Sequence, residues 1–494
     1  MSKDLHQEKL PEIITELMRQ HPTLSEQADI AEGLRGYQFP APPRKKVRTV
    51  AAFYYCANNG GVERVLCDLL FLWHAAGYRV ILLTDRPATD EDYPLPSGIH
   101  RYLLPDTFHL DDEKRLERYR EIQRIVRDEQ VDVFVHHAWL SENMLWDLLA
   151  VKLLGVPFLP YIHGVFSCLV SEGNPEQMDI LRCLTQIYPL ADGVLSLSQT
   201  SQKFWSRFQS RSFLLVNPCR KPHRITVPRK KHHMVWVGRI APEKRPLDAV
   251  KILHEVRKKQ PEATLTIVGS AHPVYRELYH ELQALITALH EEEAVLLAGY
   301  QEDPYEYYQE AELLLSTSAY EGFSQVIAEA KTYGVPCVMY DLPYLLFSEE
   351  KQGVIPVEQQ HPEKAAEAVL QCFEDEEKLR KLSEEALLSS RIFDDEALLR
   401  QWKDIFEQIM EHQAPVTVSV DTVAWNTMLE HLHEGLQKWS SEKQLYLQRQ
   451  AEYIEREQEW EQEKNKWQTE REAYIRREQE SFRLLRRIKR TFFH

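Results

Sequence analysis

The sequence predicts an α/β fold built from two doubly wound parallel sheets in series, followed by one long helix. Short apolar runs alternate with helical segments from 46 to 222, and after a pause the same alternation resumes from 223 to 413. Hydrophobic residues make up 43% of the 494 residues, which is enough for two cores. The segment from 420 to 481 instead repeats large side chains at a seven-residue spacing.

Residues 1–45 form an extension that precedes the first sheet. The run 10–18 has helical spacing, and the proline-rich stretch 39–43 is a linker. The domain 46–222 then alternates buried strands with helices. Its predicted strands are 49–55, 79–83, 131–135, 156–161 and 193–198.

The second sheet domain, 223–413, restarts the alternation near Met234. Its further predicted strands are 263–268, 294–298, 313–315 and 336–340. Ligands of open parallel sheets bind beyond the carboxyl ends of the strands. We therefore expect two Rossmann-like domains that face each other across a cleft, with the active site in that cleft.

Composition and charge narrow the class of protein. The net charge of -16 argues against a general nucleic-acid binder, because phosphate backbones require a basic face. Seven scattered cysteines without metal-ligand spacing predict reduced thiols in a cytosolic protein. The start of the chain lacks an apolar signal core, and no stretch approaches 18 apolar residues, so we expect neither secretion nor a membrane span.

The segment 320–330 carries the most informative motif of the chain. It follows a predicted buried strand and places Glu321 and Glu329 eight positions apart around a turn. Gly322 permits a close backbone approach, and Ser324 is expected to cap a helix that runs to about Tyr333. A helix N-terminus attracts anions such as a diphosphate. The two carboxylates could then accept hydrogen bonds from sugar and ribose hydroxyls.

A second segment supplies positive charge. The strand 233–237 ends in Gly238, and Arg239 and Lys244 follow in an exposed loop. Cations at the carboxyl edge of a parallel strand could clamp a pyrophosphate and stabilise it as a leaving group. The alternative is an ordinary surface loop whose basic residues contact only solvent.

Together these motifs resemble the retaining glycosyltransferases of family 4, a GT-B group with many bacterial polysaccharide, lipid and teichoic acid transferases. The resemblance spans roughly 46 to 411 and uses four signatures in the family's order. They are the glycine loop 59–64, the His-Gly pair 163–164, the basic loop 238–244 and the segment 321–329. By analogy to the family, the helix predicted over 393–402 may cross back to the first domain.

The resemblance implies a role for each matched residue of the second domain. Arg239 and Lys244 match the ligands of the donor diphosphate. Glu329 matches the carboxylate that holds the ribose hydroxyls, and Glu321 matches the acid beside the transferred sugar. Backbone groups of Gly322, Phe323 and Ser324 would help to hold the sugar and the phosphates.

In the first domain, Gly60 and Gly61 would approach the phosphates, where a Cβ would collide with the ligand. His163 matches the family histidine near the sugar, although a His-Gly pair after a strand is also common as a plain turn. The resemblance implies a UDP- or GDP-linked sugar donor, retention of configuration, no cofactor or metal, and a glycan, lipid-linked or cell-wall polymer acceptor.

Several features leave alternatives open. Asp90-Glu91-Asp92 resembles a metal-binding DxD motif, but it lies in an acidic loop and we expect no metal there. His136 and His137 could line the acceptor pocket or be structural. Ser324 and the segment 341–343 depart from the family's usual glycine-rich loops, so the sugar contacts could be unusual. A GT-B epimerase or phosphorylase, a catalytically silent subunit and a structural scaffold are the rival functions.

The C-terminal segment 420–481 predicts a long helix, because it lacks proline and contains only Gly435. A two-stranded coiled coil with an aromatic seam and a single charged helix are both possible. The tail 482–494 combines cations with phenylalanines, which suits an anionic membrane surface, although a solvated helix end would look similar. We therefore expect a homo-oligomer that is cytoplasmic and docks on the inner face of the membrane. The repeat comprises Trp425, Leu432, Trp439, Tyr446, Tyr453, Trp460, Trp467 and Tyr474.

Overall fold

The structure, a computed structural model, describes most of the two sheet domains and scattered positions of the C-terminal segment. The described residues are 10–20, 23–42, 46–58, 60–106, 111–166, 175–209, 211–219, 228–271, 275–301, 303–411, 420, 421, 424–432, 434, 435, 437, 438, 441, 442, 445, 448, 449, 456, 464 and 466–471.

The first domain contains a seven-stranded parallel sheet in the order β3-β2-β1-β4-β5-β6-β7. Its strands are β1 (Thr49–Phe53), β2 (Arg79–Thr84), β3 (His100–Leu103), β4 (Val133–His136), β5 (Phe158–Ile162), β6 (Val194–Ser196) and β7 (Ser212–Leu214). Its helices are α1 (Leu10–Gln20), α2 (Leu24–Gly33), α3 (Gly61–Ala75), α4 (Asp112–Asp128), α5 (Met144–Lys152), α6 (Pro175–Ile187) and α7 (Gln199–Trp205). The central strand β1 is buried at every position, which explains its continuous apolar sequence.

The second domain contains a six-stranded parallel sheet in the order β10-β9-β8-β11-β12-β13. Its strands are β8 (His233–Val237), β9 (Thr264–Val268), β10 (Val295–Gly299), β11 (Leu313–Ser316), β12 (Cys337–Tyr340) and β13 (Val354–Val357). Its helices are α8 (Pro246–Arg257), α9 (Arg276–Ala288), α10 (Tyr305–Glu310), α11 (Gln325–Thr332), α12 (Leu346–Glu350), α13 (Pro362–Glu374) and α14 (Glu376–Ser389). Two doubly wound parallel sheets confirm the predicted α/β class.

A last helix, α15 (Asp395–Glu411), packs back on the first domain. The ring of Trp402 meets that of Trp73 in α3 edge to face, with 4.8 Å between centroids. Phe406 packs against Trp73 and Tyr78 in the same cluster. Both tryptophans are fully buried, so this contact ties the end of the second domain to the first.

The start of the C-terminal segment also packs on the first domain. The chain is helical at 424–432, and the Trp425 ring lies 5.3 Å from that of Phe208 and 5.7 Å from that of Phe204. Its indole N–H donates to the Thr185 hydroxyl at 3.2 Å, and Leu429 is buried. The first turns of the aromatic repeat therefore stabilise the body of the protein.

Farther along, the chain is helical at 466–471, where Trp467 is 59% exposed. The other aromatic members of the repeat (Trp439, Tyr446, Tyr453, Trp460, Tyr474) and the tail 482–494 lie outside the described residues. Among the helices that the structure describes, none combines the length and the apolar character that crossing a bilayer requires.

Candidate active site

Two loops at the carboxyl ends of β8 and β11 are held together by hydrogen bonds. The Thr317 hydroxyl donates to the backbone oxygens of Lys244 (2.8 Å) and Arg245 (2.9 Å), and it accepts from the Trp236 indole at 2.9 Å. The backbone N–H of Ala319 donates to the oxygen of Glu243 at 2.7 Å. These bonds place the basic loop directly beside the segment that begins with Glu321.

A short ion pair joins Lys244 to Glu321. The Lys244 ammonium lies 2.6 Å from Glu321 Oε1, and the two side chains are 21% and 13% exposed. The Ser318 hydroxyl donates to the same oxygen at 2.7 Å. Tyr344 accepts the backbone N–H of Glu321 at 3.3 Å. Lys244 is thus held at the carboxylate that the motif predicts beside the sugar, and any bound anion shares the ammonium with Glu321.

Arg239 projects more freely than Lys244. Its guanidinium is 59% exposed, and its nearest carboxylate is Glu243 at 3.5 Å. Arg239 is also close enough to the first domain for its charge to act on Glu63. Burial raises the pKa of the Glu63 carboxyl, and the positive charge of Arg239 partly opposes this rise. Arg239 therefore lies across the cleft from the glycine loop of the first domain.

Gly60 and Gly61 stand at the N-terminus of α3, which begins at Gly61. A Cβ on Gly60 would lie 1.9 Å from Oε2 of Glu63, whereas a Cβ on Gly61 would meet no atom of the described structure within 4 Å. The Glu63 carboxylate thus folds over Gly60, and the Cys56 thiol donates to it at 3.8 Å. Sequence reasoning missed this glutamate, although it stands inside the glycine motif.

The loops of the two domains touch at Gly322. A Cβ on Gly322 would lie 1.8 Å from the backbone oxygen of His163 and 3.2 Å from Cα of Gly164. A side chain at position 322 would therefore push the two domains apart. This close approach brings the predicted histidine of the first domain to the segment that carries Glu321.

The neighbouring histidines His136 and His137 at the end of β4 have different hydrogen-bond partners. His136 bonds to the buried carboxylate of Asp147 at 3.2 Å, and Asp147 also holds the guanidinium of Arg118 at 2.7 Å. His137 instead bonds through Nδ1 to Nε2 of His163 at 2.9 Å. Burial lowers the pKa of His163 to about 3, so its ring is neutral at physiological pH.

Glu329 lies on α11, one turn from the helix end, where it accepts the Tyr308 hydroxyl at 3.0 Å. Asp68 of α3 approaches it from the other domain. Burial, with Glu329 and Asp395 adding to it, raises the pKa of Asp68 to about 7. Neither Tyr308 nor Asp68 belongs to a recognisable motif, so the sequence offered no signal for them.

The start of α11 differs in one respect from the sequence-based prediction. Ser324 does stand just before α11, but its hydroxyl makes no capping bond. The predicted side-chain cap is wrong because Ser324 adopts a left-handed backbone with φ of 67° instead of the extended geometry of a capping serine. Phe323 is buried against Phe347 and Phe393, so its side chain belongs to the core and only its backbone could reach a ligand.

The acidic loop 90–92 has a structural role at Asp92. This carboxylate pairs with Arg101 and accepts hydrogen bonds from Thr89 and Asn58, at 2.9 and 3.0 Å. It thereby fastens the loop after β2 to Asn58, which immediately precedes the glycine loop. Within the described ranges, no group of three or more histidine, cysteine or acidic side chains is arranged to hold a metal ion. The described cysteines are buried and form no disulfide with one another: Cys56, Cys67, Cys183, Cys219, Cys337 and Cys372.

Two family models match the chain, one on each domain. The model described as Glycosyltransferase Family 4 matches residues 59–213, and the model described as Glycosyl transferases group 1 matches residues 220–388. Together they span more than half of the chain, in the order of the two sheets.

Several named relatives align with parts of the chain. The poly(glycerol-phosphate) alpha-glucosyltransferase of Bacillus subtilis is 31% identical over 193 residues, which are 38% of this chain and 28% of that enzyme. The chain therefore spans little more than a quarter of that relative's length. The amylovoran biosynthesis glycosyltransferase AmsD of Erwinia amylovora is 26% identical over 71% of this chain and 96% of its own length.

Solved structures share the fold at low identity. The Anabaena protein HepE in complex with UDP has a TM-score of 0.60 and 16% identity, over 73% of this chain and all of that one. TarM has a TM-score of 0.60 and 12% identity, over 74% of this chain and 99% of its own. With both domains matched by family models and two parallel sheets arranged as in these proteins, the chain belongs to the GT-B glycosyltransferases of group 1 and family 4.

Proposed function

We propose that the protein transfers a sugar from a UDP- or GDP-linked donor to a glycan, a lipid-linked glycan or a cell-wall polymer, with retention of configuration. The observation that carries this proposal is the contact between Lys244 and Glu321 at 2.6 Å. It holds the Lys244 ammonium, which would bind phosphate, against a carboxylate at the cleft edge, where the two domains meet through Gly322.

The donor diphosphate would bind between Lys244, Arg239 and the N-terminus of α11. The exposed guanidinium of Arg239 can bind phosphate oxygens in a bidentate manner, and Lys244 adds a second charge. Charge that develops on the departing diphosphate is then stabilised by groups already in place. On this arrangement the transfer requires no metal ion.

The sugar would lie beside Glu321, and the ribose beside Glu329. Ser318 and Lys244 fix the position of the Glu321 carboxylate. Tyr308 orients Glu329, which keeps further acceptor capacity for ribose hydroxyls. Two relatives support this class of reaction: one is named a poly(glycerol-phosphate) alpha-glucosyltransferase, and the solved HepE structure contains UDP.

A panel of UDP- and GDP-sugars offered to the purified full-length protein tests the proposal. We expect release of one sugar, detected by mass, together with the matching nucleoside diphosphate, and the same rate in EDTA. A folded protein that releases no sugar from any donor, yet still binds a nucleotide, would favour the rival function of a catalytically silent subunit. Loss of turnover in EDTA with intact folding would refute the metal-free mechanism.

The C-terminal segment would join two copies and hold them at a membrane. The exposed Trp467 side chain is a hydrophobic surface that a second helix could cover. The tail 482–494 carries cations and phenylalanines that would bind the headgroups of anionic lipids on the cytoplasmic face.

Two truncations separate these roles. Removal of the residues after Gly435 keeps Trp425 and Leu429 on the body, and it should convert a dimer into a monomer in light scattering. Removal from Leu484 onward should instead abolish sedimentation with anionic vesicles and leave donor hydrolysis intact. A full-length protein that is monomeric and ignores such vesicles at low salt would contradict both roles.

A further inference from the structure

His137 and His163 form a stacked pair beside the contact between the two domains. They follow the adjacent parallel strands β4 and β5, whose carboxyl ends lie side by side. Their rings are 5.1 Å apart and nearly parallel at 16°, and Tyr161 packs on both. Nδ1 of His137 lies 2.9 Å from Nε2 of His163, so one proton is shared along this line.

The two rings differ in the surroundings of the nitrogen that takes no part in the bond between them. His137 is fully buried, and its Nε2 has no hydrogen-bond partner within the described structure. His163 is mostly buried but keeps some exposure to solvent, and its Nδ1 makes no hydrogen bond with any residue that the structure describes. Burial lowers the pKa of both rings far enough that each is neutral and carries one proton.

Only one placement of the two ring protons leaves no buried N–H without an acceptor. If Nε2 of His163 held the proton and donated it, neutral His137 would carry its own proton on Nε2, as a buried N–H without an acceptor. Buried N–H groups without partners are rare and costly. If Nδ1 of His137 donates, its Nε2 keeps only a lone pair, and His163 must carry its proton on Nδ1.

We propose that His137 is a positioning residue that fixes His163 as the Nδ1–H tautomer, so that His163 offers a hydrogen-bond donor to the ligand in the cleft. The proposal rests on the proposed function, because the ligand is the sugar donor. The group that His163 serves must then be an oxygen that accepts a hydrogen bond, such as a phosphate oxygen or a sugar hydroxyl oxygen. The backbone oxygen of His163 already touches Gly322, which places the residue beside the predicted sugar site.

Substitutions at His137 separate hydrogen bonding from packing. His137→Phe keeps a ring for stacking but removes the donor, whereas His137→Asn leaves a cavity but keeps an N–H near the position of Nδ1. We expect kcat/KM to fall about tenfold in the phenylalanine variant and less than about threefold in the asparagine variant. A residue that only packs would give the reverse order, and that result would overturn the proposal.

A double-mutant cycle tests whether His137 acts through His163. In a His163→Ala background, His137→Phe should change kcat/KM by less than about twofold, because the hydrogen bond is already absent. An equal loss in both backgrounds would mean that His137 acts independently, contrary to the proposal.

Ring ¹⁵N spectra of the full-length protein test the tautomer without any turnover. The signals of His163 are those that disappear in His163→Ala. We expect a proton on Nδ1 and an unprotonated Nε2 in the wild type, and a mixture of tautomers in His137→Phe. A proton on Nε2 of wild-type His163 would overturn the inference even in an active enzyme. The predicted tautomer in a protein that releases no sugar would instead contradict only the proposed function.

Discussion

Replacing Lys244 with methionine should impair donor use far more than folding. Methionine keeps the length of the side chain and removes its charge, so the variant loses the ammonium 2.6 Å from Glu321. A hydrogen bond from a charged group to a phosphate contributes about 1.5 to 3 kcal/mol. Its loss should lower kcat/KM about 10- to 150-fold. The Lys244 pair is only partly buried, so the free energy of unfolding should fall by only about 1 kcal/mol.

Lys258 provides the matched control for this experiment. Its ammonium also lies 2.6 Å from a glutamate, Glu255, but both side chains are exposed on the surface of the same domain. We expect Lys258→Met to change kcat/KM by less than about twofold, because an exposed pair contributes little. Release of nucleoside diphosphate and urea unfolding should be measured on both variants. Unchanged kcat/KM in Lys244→Met, or an equal loss in the control, would refute the assignment of Lys244 to the diphosphate.

Three further predictions concern the carboxylates and the interdomain contact. Glu329→Ala should chiefly weaken nucleotide affinity, because ribose hydrogen bonds are lost. Glu321→Ala should chiefly lower kcat. Equal nucleotide affinity in the wild type and the Glu329 variant would contradict this placement of Glu329. Asp68 has a pKa raised from 3.8 to about 7, so its stabilising effect is complete below pH 3.8 and is lost as the pH rises through 7. Relative to Asp68→Asn, the wild type should therefore lose unfolding free energy between about pH 4 and 7, and a constant difference would refute the argument. Gly322→Ala should abolish transfer, because its Cβ would lie 1.8 Å from a backbone oxygen of His163; near-normal transfer would show that the loops separate without cost.

The sequence predicted the buried strands well and the edge strands poorly. The central strands β1 and β4 are continuous apolar runs because both faces of the sheet are covered by helices. The strands β3 and β7 were missed because they are only four and three residues long and lie at the sheet edges, where their side chains are partly exposed. The strand β13 is apolar, but it too is an edge strand of only four residues, and it contains a proline.

The sequence motifs predicted which residues form the candidate site, but not which of them contact each other. Arg239, Lys244, Glu321 and Glu329 were predicted from the sequence as site residues, and the structure places Lys244 against Glu321. That contact depends on bonds between loops about 75 residues apart, and no local pattern encodes it.

The residues that sequence reasoning missed follow a common physical pattern. Tyr344 bonds to the backbone of Glu321 from the loop after β12, and Tyr308 bonds to Glu329 from α10. Asp68 reaches the cluster from the other domain. Each depends on how elements distant in sequence pack together, so a motif search along one chain cannot find them.

Calorimetric titration of UDP and of GDP into the full-length protein, in EDTA, tests the central claim most directly. The account predicts that one of the two nucleotides binds at one site per chain, and that Lys244→Met weakens this binding at least about tenfold while Lys258→Met leaves it unchanged. The claim would be contradicted by a folded wild-type protein that binds neither nucleotide, or by a Lys244→Met variant that binds as tightly as the wild type.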